Sequence, residues 1–574
     1  MKPINKNIII GSFSFFALIS CNDHFDRDIN VELTEDQVFR SYQRAIQVAN
    51  SAYTHLKWGF TEVEDAMLAS ASDDAEFTVQ NAAVQKLNNG GWNPSDIPDN
   101  PWTNLYEGIR KANNFILNCD RINYDDVELD PSKEELYKQR LENVKYYVHE
   151  CYLLKAYFTF ELMKRYGGVP IIDRIYSLDE DLTLLKRNTL QECVDYVVHW
   201  CDEAAKVLPA KHSDENLGRL TSVAAKTLKS QVLLYAASDL WNTTSWVQGY
   251  ANPEYISLTT DRTQRWATAM NAAREAIAAA EDQNIHRLES NYSDLFGSEN
   301  YRSPEFIICR RSGTSNNFEK INYPIGFNLV TGGNCPTLDL IDAFQYNTID
   351  PITNEIVSSD FDWNNNVHKA DPFNNRDPRM AASVICNNTD FKGRIIECWE
   401  GGRDGGGTKN ATPTGFYLKK YVNPSLDLEA GQESVHTWSH IRLAELYLNY
   451  LETLCEVDPS HPDLVKYYNL IRQRAGVQTM ESGFPTRDQV RKERRVELCF
   501  EGQRWFDLRR WMIAEQVLNG QVRKLRIIKN GDDSFSYTPE VLESRVFTNK
   551  MYFYPIPQSE INKMPLMVQN PLWN

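Results

Sequence analysis

Past its first twenty residues the chain has no apolar run of membrane-spanning length, no C-x-x-C cysteine pair, and too few cations to balance its acids. A bilayer crossing needs about 20 consecutive apolar residues, so any membrane attachment must use something other than a helix. Eleven cysteines without a C-x-x-C pair argue against zinc and thioredoxin-like chemistry. Lys+Arg 61 against Asp+Glu 78 gives a net charge of −17. That surface repels phosphate backbones and excludes nucleic acid as a partner class, while remaining indifferent to neutral sugars. His-Glu-x-x-His and Gly-x-Ser-x-Gly are both missing. Gly401 to Lys409 lacks the Gly-Lys-Ser/Thr order of a phosphate loop, so it reads as a flexible loop beside a ligand. Asp360 and Asp362 begin like a calcium loop. However, Asn365 replaces the turn glycine and Asp371 the final glutamate, which favours an ordinary Asx-rich loop over a calcium site.

The first twenty residues have a distinct composition. Lys2 and Lys6 precede the apolar stretch Ile8 to Leu18, and Leu18-Ile19-Ser20-Cys21 follows. A basic start, a short apolar core and small residues before a cut are the marks of a secretory leader, here residues 1–20. Leu-Ile-Ser-Cys resembles a bacterial lipobox, which makes Cys21 the expected lipidation site. Asn22 to Asp28 is polar and acid-rich, resembling the surface-export signal of Bacteroidetes lipoproteins. Of the other cysteines, Cys151, Cys193 and Cys499 fall in apolar helical patterns and should pack as small hydrophobes. Cys386 and Cys398 flank a short loop and are the pair any disulfide would use. An exported chain with no obvious disulfide framework suits a reducing habitat.

A length of 574 residues exceeds what one compact core usually holds, about 300, so several cores or an elongated helical array are expected. Residues 21–283 read as helices. The segments are Glu35 to Leu56, Asn100-Pro101 into a helix reaching Leu117, Glu134 to Tyr166, Thr189 to Leu208, Thr221 to Leu240 and Thr263 to Ala280. Ala269, Ala272, Ala273 and Ala276 form a small face that invites close approach. Paired helices of this kind suggest tetratricopeptide-like units, although no 34-residue consensus can be laid down and an irregular bundle fits the periodicity almost as well. Within residues 284–574, Asn284 to Gln432 is loop-rich with short apolar runs, and loops of such length usually serve a function. Helices then return at Ser439 to Cys455, Pro462 to Ala475 and Arg487 to Val517, before an extended Tyr552 to Pro557. The fold class is therefore mainly α, with a loop-rich region carrying short strands.

Arg494 to Trp511 is the most informative segment. Read as a helix, it sets Leu498, Trp505, Leu508 and Met512 on one face and Glu497, Glu501, Arg504 and Asp507 in a charged ladder. Two carboxylates could act as a glycosidase acid/base pair. One helical turn apart and beside Arg504, they are better explained as ion-pair partners. Gly502 within such a helix would serve close packing. The segment closely resembles the C-terminal signature of the SusD/RagB family of nutrient-binding outer-membrane lipoproteins. Further family-like stretches follow in order: Trp102 to Asn113, Arg165 to Pro170, Arg376 to Arg379, Ile441 to Tyr450, Ile471 to Gly476, Tyr554 to Pro557 and Gln569 to Pro571.

The resemblance implies a SusD-like fold with tetratricopeptide-like helix pairs. It also implies a lipid-anchored, non-catalytic protein facing the cell exterior, which binds glycan and passes it to a SusC-like TonB-dependent transporter. These motifs are scaffold, so they identify the fold and not the ligand. Sugar binding needs flat rings for the C–H faces of pyranoses and polar groups for the hydroxyls. Thirteen Trp and 28 Tyr supply rings. The candidates in polar loops are Trp92, Trp241, Trp246, Trp363 and Trp399, with Asp73, Asp74, Asn93 and Arg403 as polar partners. Trp92 ranks first, while Trp102, Trp505 and Trp511 are assigned to packing. Two alternatives stay open: a peptide-binding RagB-like protein on the same scaffold and, ranked last, a secreted glycosidase.

Overall fold

The computed structural model describes residues 33–573 except 178, 259, 260 and 299. The leader, Cys21 and the acidic stretch after it lie outside the described residues.

Eight helices pack successively into one array. They are Tyr42–Tyr53, Trp102–Asn118, Glu134–Tyr166, Leu190–Val207, Ser222–Ala237, Arg262–Glu281, Leu443–Val457 and Pro462–Ala475. Arg262–Glu281 packs on Leu443–Val457, so the C-terminal helices extend the N-terminal array across the loop-rich region. Local chemistry sets the ends. Thr189 and Glu192 form a capping box at the start of Leu190–Val207, and Thr221 and Asp261 cap the next two helices. Pro462 opens its helix and Gly476, at φ +72°, closes it in the left-handed conformation. Glu134 and Glu135 begin the longest helix and Lys164 and Arg165 end it, matching the helix dipole. Gly108 has no room for a Cβ against Phe158 and His55, which lets Trp102–Asn118 closely approach the Glu134–Tyr166 helix and the turn after Tyr42–Tyr53. The alanine face of Arg262–Glu281 is buried where it meets Ser222–Ala237.

Two large apolar cores result. One runs through the helical array and takes in the C-terminal Tyr552, Phe553, Tyr554 and Trp573. The other fills the loop-rich region between short two-stranded sheets. Ala75–Phe77 pairs antiparallel with Asn334–Pro336, and Gln521–Lys529 with Phe535–Ser544. This is a mainly α fold with short strands, as expected.

Three local expectations need correction. Glu35 to Leu56 is two helices, Glu35–Phe39 and Tyr42–Tyr53. The start of the expected Ser439 to Cys455 helix is strand: Thr437–Arg442 pairs with Phe306–Arg311, and the helix begins at Leu443. Arg487 to Val517 is three short helices, Arg487–Glu497, Arg504–Arg510 and Ala514–Leu518. Phe500 at φ +61° and Gly502 at φ +77° turn the chain between the first two, so Gly502 supplies a left-handed turn and not a helical packing site. Cys386 and Cys398 are both buried free thiols.

Candidate functional site

Because the chain turns after Glu497, the charged ladder is not a ladder on one helix. Glu497 accepts from Arg379 at 2.8 Å and Arg442 at 2.7 Å, and also pairs with Arg474. Glu501 accepts from Arg442 and Lys420, each at 2.7 Å. Asp507 accepts from Arg494 and Arg510, each at 2.8 Å. Burial alone would raise the Glu497 carboxyl, but the surrounding guanidiniums hold it well below the usual range. Glu501 is lowered in the same way, burial being outweighed by Arg442 and Lys420. Ion pairing is thus the role of both carboxylates, as the spacing suggested. Their partners come from distant segments and not from Arg504, which instead binds Asp73 bidentately at 2.7 and 2.8 Å.

That network also corrects several ligand candidates. Asp73 is held by Arg495 and Arg504, and Asp74 by Arg495, and both are buried frame residues that a sugar does not reach. Trp92 is only 2% exposed, its ring packed between Tyr554 at 5.1 Å and Trp573 at 4.7 Å. Trp241 is 1% exposed against Tyr235, and Trp246 is 9% exposed against Tyr552 and Phe553. None of these three rings offers a face to a ligand, because the chain's own aromatics cover them. Trp102, Trp505 and Trp511 are likewise packed, as expected. Asn93 is exposed but serves a turn: its side chain accepts from Ser95 at 2.9 Å and its backbone pairs with Asp96. Trp363 is half-buried and donates to Asp342 at 3.0 Å, beside Phe361. Asp360 pairs with Lys492, and Asp362 accepts from the Asn364 N–H in an Asx turn.

The two remaining candidates come together on one turn. Asp404 anchors it, taking both Arg394 guanidinium nitrogens and the N–H groups of Gly326 and Glu397. The Glu400 N–H donates to the Ile527 carbonyl at 2.9 Å, tying the turn to the Gln521–Lys529 strand. Gly405 lies against the Trp399 carbonyl and Gly402 against the Glu397 carbonyl with no space for a Cβ, while Gly401 and Gly407 take positive φ values of +84° and +104°. On one flank Trp399 is half-buried, 5.3 Å from Phe535, with the Lys529 ammonium 5.3 Å from its ring. Tyr537 and Phe373 continue this aromatic row. On the other flank Arg403 lines an open cleft of about 310 Å³. Its floor is Phe327, Leu426 and Leu428, and its rim carries Asn328, Asp427 and Glu429. The Arg394 guanidinium lies 4.2 Å from the Phe327 ring. The Arg403 side chain is exposed and has no ionic partner among the described residues. Flat apolar surface beside the exposed Arg403 guanidinium suits a hydroxyl-rich ring compound, although Asn328 and Glu429 already bond each other and Asp427 accepts from the Glu429 and Ala430 N–H groups. Phe327, Phe535 and Tyr537 escaped the sequence reading because it weighted tryptophan in polar loops. Their period-2 spacing in Phe535-Ser536-Tyr537 was the available signal.

Comparison with known proteins agrees with this architecture. A model of the SusD family matches residues 307–573, and one described as starch-binding associating with outer membrane matches residues 26–234. SusD-like protein P25 of Formosa agariphila is 22% identical, over 99% of this chain and 99% of its own. A SusD-like protein of Bacteroides fragilis superposes with a TM-score of 0.75 at 22% identity, covering 94% of this chain and 98% of that one. A SusD-like carbohydrate binding protein of the same species gives 0.73 at 20% identity, covering 92% and 99%. The likeness in coordinates concerns the fold, and the two family models between them take in both ends of the helical array and the Arg494 to Trp511 segment. The chain belongs to the SusD/RagB family.

Proposed function

We propose that this protein is a non-catalytic, carbohydrate-binding lipoprotein of the outer membrane, facing the cell exterior and handing glycan to a SusC-like TonB-dependent transporter. The observation that carries the binding role is the Trp399–Arg403 turn, which carries a half-buried ring on one flank and, on the other, an exposed guanidinium with no ionic partner among the described residues, lining an apolar-floored cleft. The family model's description and the carbohydrate-binding structural relative support the same ligand class. Glu497 and Glu501, the carboxylates considered for hydrolysis, are locked in buried ion pairs, which supports binding without turnover.

Calorimetry of the mature chain against a panel of neutral oligosaccharides tests this reading. Trp399→Ala should weaken the best ligand about tenfold, or ~1.4 kcal/mol, with little change in melting temperature. Equal affinity in the variant would remove this turn from the site. Oligopeptide binding in place of sugar would move the protein to the RagB-like reading, and release of shortened glycan would make it a hydrolase. For the anchor, Cys21→Ala should leave the protein in the soluble fraction of cells, whereas the native chain sediments with membranes. Co-purification of a large β-barrel with the native protein checks the transporter partner.

A further inference from the structure

The chain carries −17 overall, yet one groove on the helical array gathers cations. Two adjoining cavities, about 350 Å³ and about 590 Å³, share Arg219, Tyr301 and Arg302 on their walls. Six basic side chains line them, Lys211, Arg219, Arg287, Arg302, Arg310 and Arg311, against two acidic ones, Asp214 and Glu215. Arg219 is neutralised by Glu150, and Arg302 lies 3.7 Å from Asp214. The other four, Lys211, Arg287, Arg310 and Arg311, have no carboxylate at ion-pair distance among the described residues. Arg310 is half-buried, its side chain donates to the Leu56 carbonyl, and it sits 5.4 Å from the Trp58 ring. Arg311 stacks 4.0 Å from the Tyr301 ring, whose hydroxyl accepts from Arg302 at 3.1 Å. His212 and His286 complete the wall, and burial lowers the pKa of both, so they sit there as neutral imidazoles.

Clustered like charges repel one another, and the low dielectric of a concave wall strengthens that repulsion until an anion enters. Amide and hydroxyl groups lie between the cations, at Asn50, Thr54 and Ser303. Cations interspersed with such groups match a hydroxylated ring bearing an acid better than they match a bare ion. We infer that this groove is a second binding site, for an oligosaccharide carrying carboxylate or sulfate groups. It shares no residue with the Trp399 turn, so the two sites stand or fall separately.

Calorimetry of the mature chain with three short probes tests it: an oligogalacturonate, a sulfated galactan oligomer and the neutral galactan of equal length. At least one anionic probe should bind more tightly than the neutral one, weakening as salt rises from about 0.05 to about 0.5 M. The exposed-residue variant Lys211→Gln/Arg287→Gln/Arg311→Gln should lose about tenfold in that affinity. Trp399→Ala should leave it unchanged. Binding of the galacturonate alone assigns carboxylate and binding of the galactan sulfate alone assigns sulfate, each in support. The site is overturned if neither anionic probe exceeds the neutral one, if the triple variant binds as the native chain does, or if Trp399→Ala abolishes the anionic binding. Should the triple variant melt early, the single change Arg311→Glu gives the same reading at an exposed position.

Discussion

Arg442→Met should cost the protein about 4 kcal/mol or more, enough to abolish a cooperative melt in a chain of ordinary marginal stability. Arg442 is fully buried and makes five charge-assisted hydrogen bonds. It reaches Glu305 at 2.6 Å, Glu497 at 2.7 Å and Glu501 at 2.7 Å, with the Glu497 carbonyl at 2.8 Å. It thereby joins the end of the Thr437–Arg442 strand to the turn after Arg487–Glu497 and to the loop-rich core. Methionine fills the volume but leaves three buried carboxylates short of positive charge, and burying unpaired charge is among the costliest single changes. Arg379 and Arg474 still contact Glu497, Lys420 still contacts Glu501, and Arg474 still contacts Glu305, so each carboxylate keeps a cation and loses part of its compensation. Arg442→Lys keeps the charge but not the planar fork, and should fall between native and Met. Thermal melts followed by circular dichroism decide this. A Met variant melting within ~2 °C of native would mean that the network is not what holds these segments together.

Acid should unfold the protein steeply, with a loss of at least ~5 kcal/mol between about pH 5 and pH 2. Glu452 is pulled down to about 2, its burial outweighed by Arg510 and Arg494. Glu161, Glu497 and Asp73 are held lower still, each by arginines or lysines that overcome burial. A carboxyl depressed in the folded state stabilises it above the ordinary carboxylate value, and that contribution disappears as pH falls through the folded value. Glu76 and Glu445 behave oppositely, because burial raises both to about 7. Their contribution is complete below the ordinary value and is lost as pH rises through about 7. His440, lowered to about 3 by burial, loses stabilisation as pH falls from its ordinary value and partly offsets those two glutamates. The profile expected is a plateau at mildly acidic to neutral pH, a shallow decline above it and a cliff below about pH 4. Glu452→Gln should soften the cliff while lowering the plateau. A melting temperature constant down to about pH 3 would contradict the account.

Helix existence was legible wherever local chemistry supplied both an amphipathic period and a stop. Pro462–Ala475 and Glu134–Tyr166 match their expected ends to the residue, because Pro462, Gly476 and Gly167 punctuate the backbone directly. Ser439 to Arg442 was misread as helix because four residues cannot show whether a partner strand waits elsewhere, and Phe306–Arg311 lies more than a hundred residues away. The turn at Phe500 and Gly502 was hidden for a related reason. The helical period of Glu497, Glu501 and Arg504 is genuine, but each side chain finds a better partner outside the segment.

Most of the ligand candidates failed on the same ground. Polar neighbours in the sequence suggested that Trp92 and Trp246 were exposed, yet the C-terminal Tyr552 to Tyr554 and Trp573 fold back over them. Sequence alone determined the helical scaffold, its capped ends and the family, since each depends on residues within a turn or two of one another. Tertiary structure alone decided which rings stay open, which carboxylates are spent on arginines, and that Trp399 and Arg403 share one turn beside a cleft. Exposure and ion pairing are sums over neighbours in space, and in this chain those neighbours come from opposite ends of the sequence.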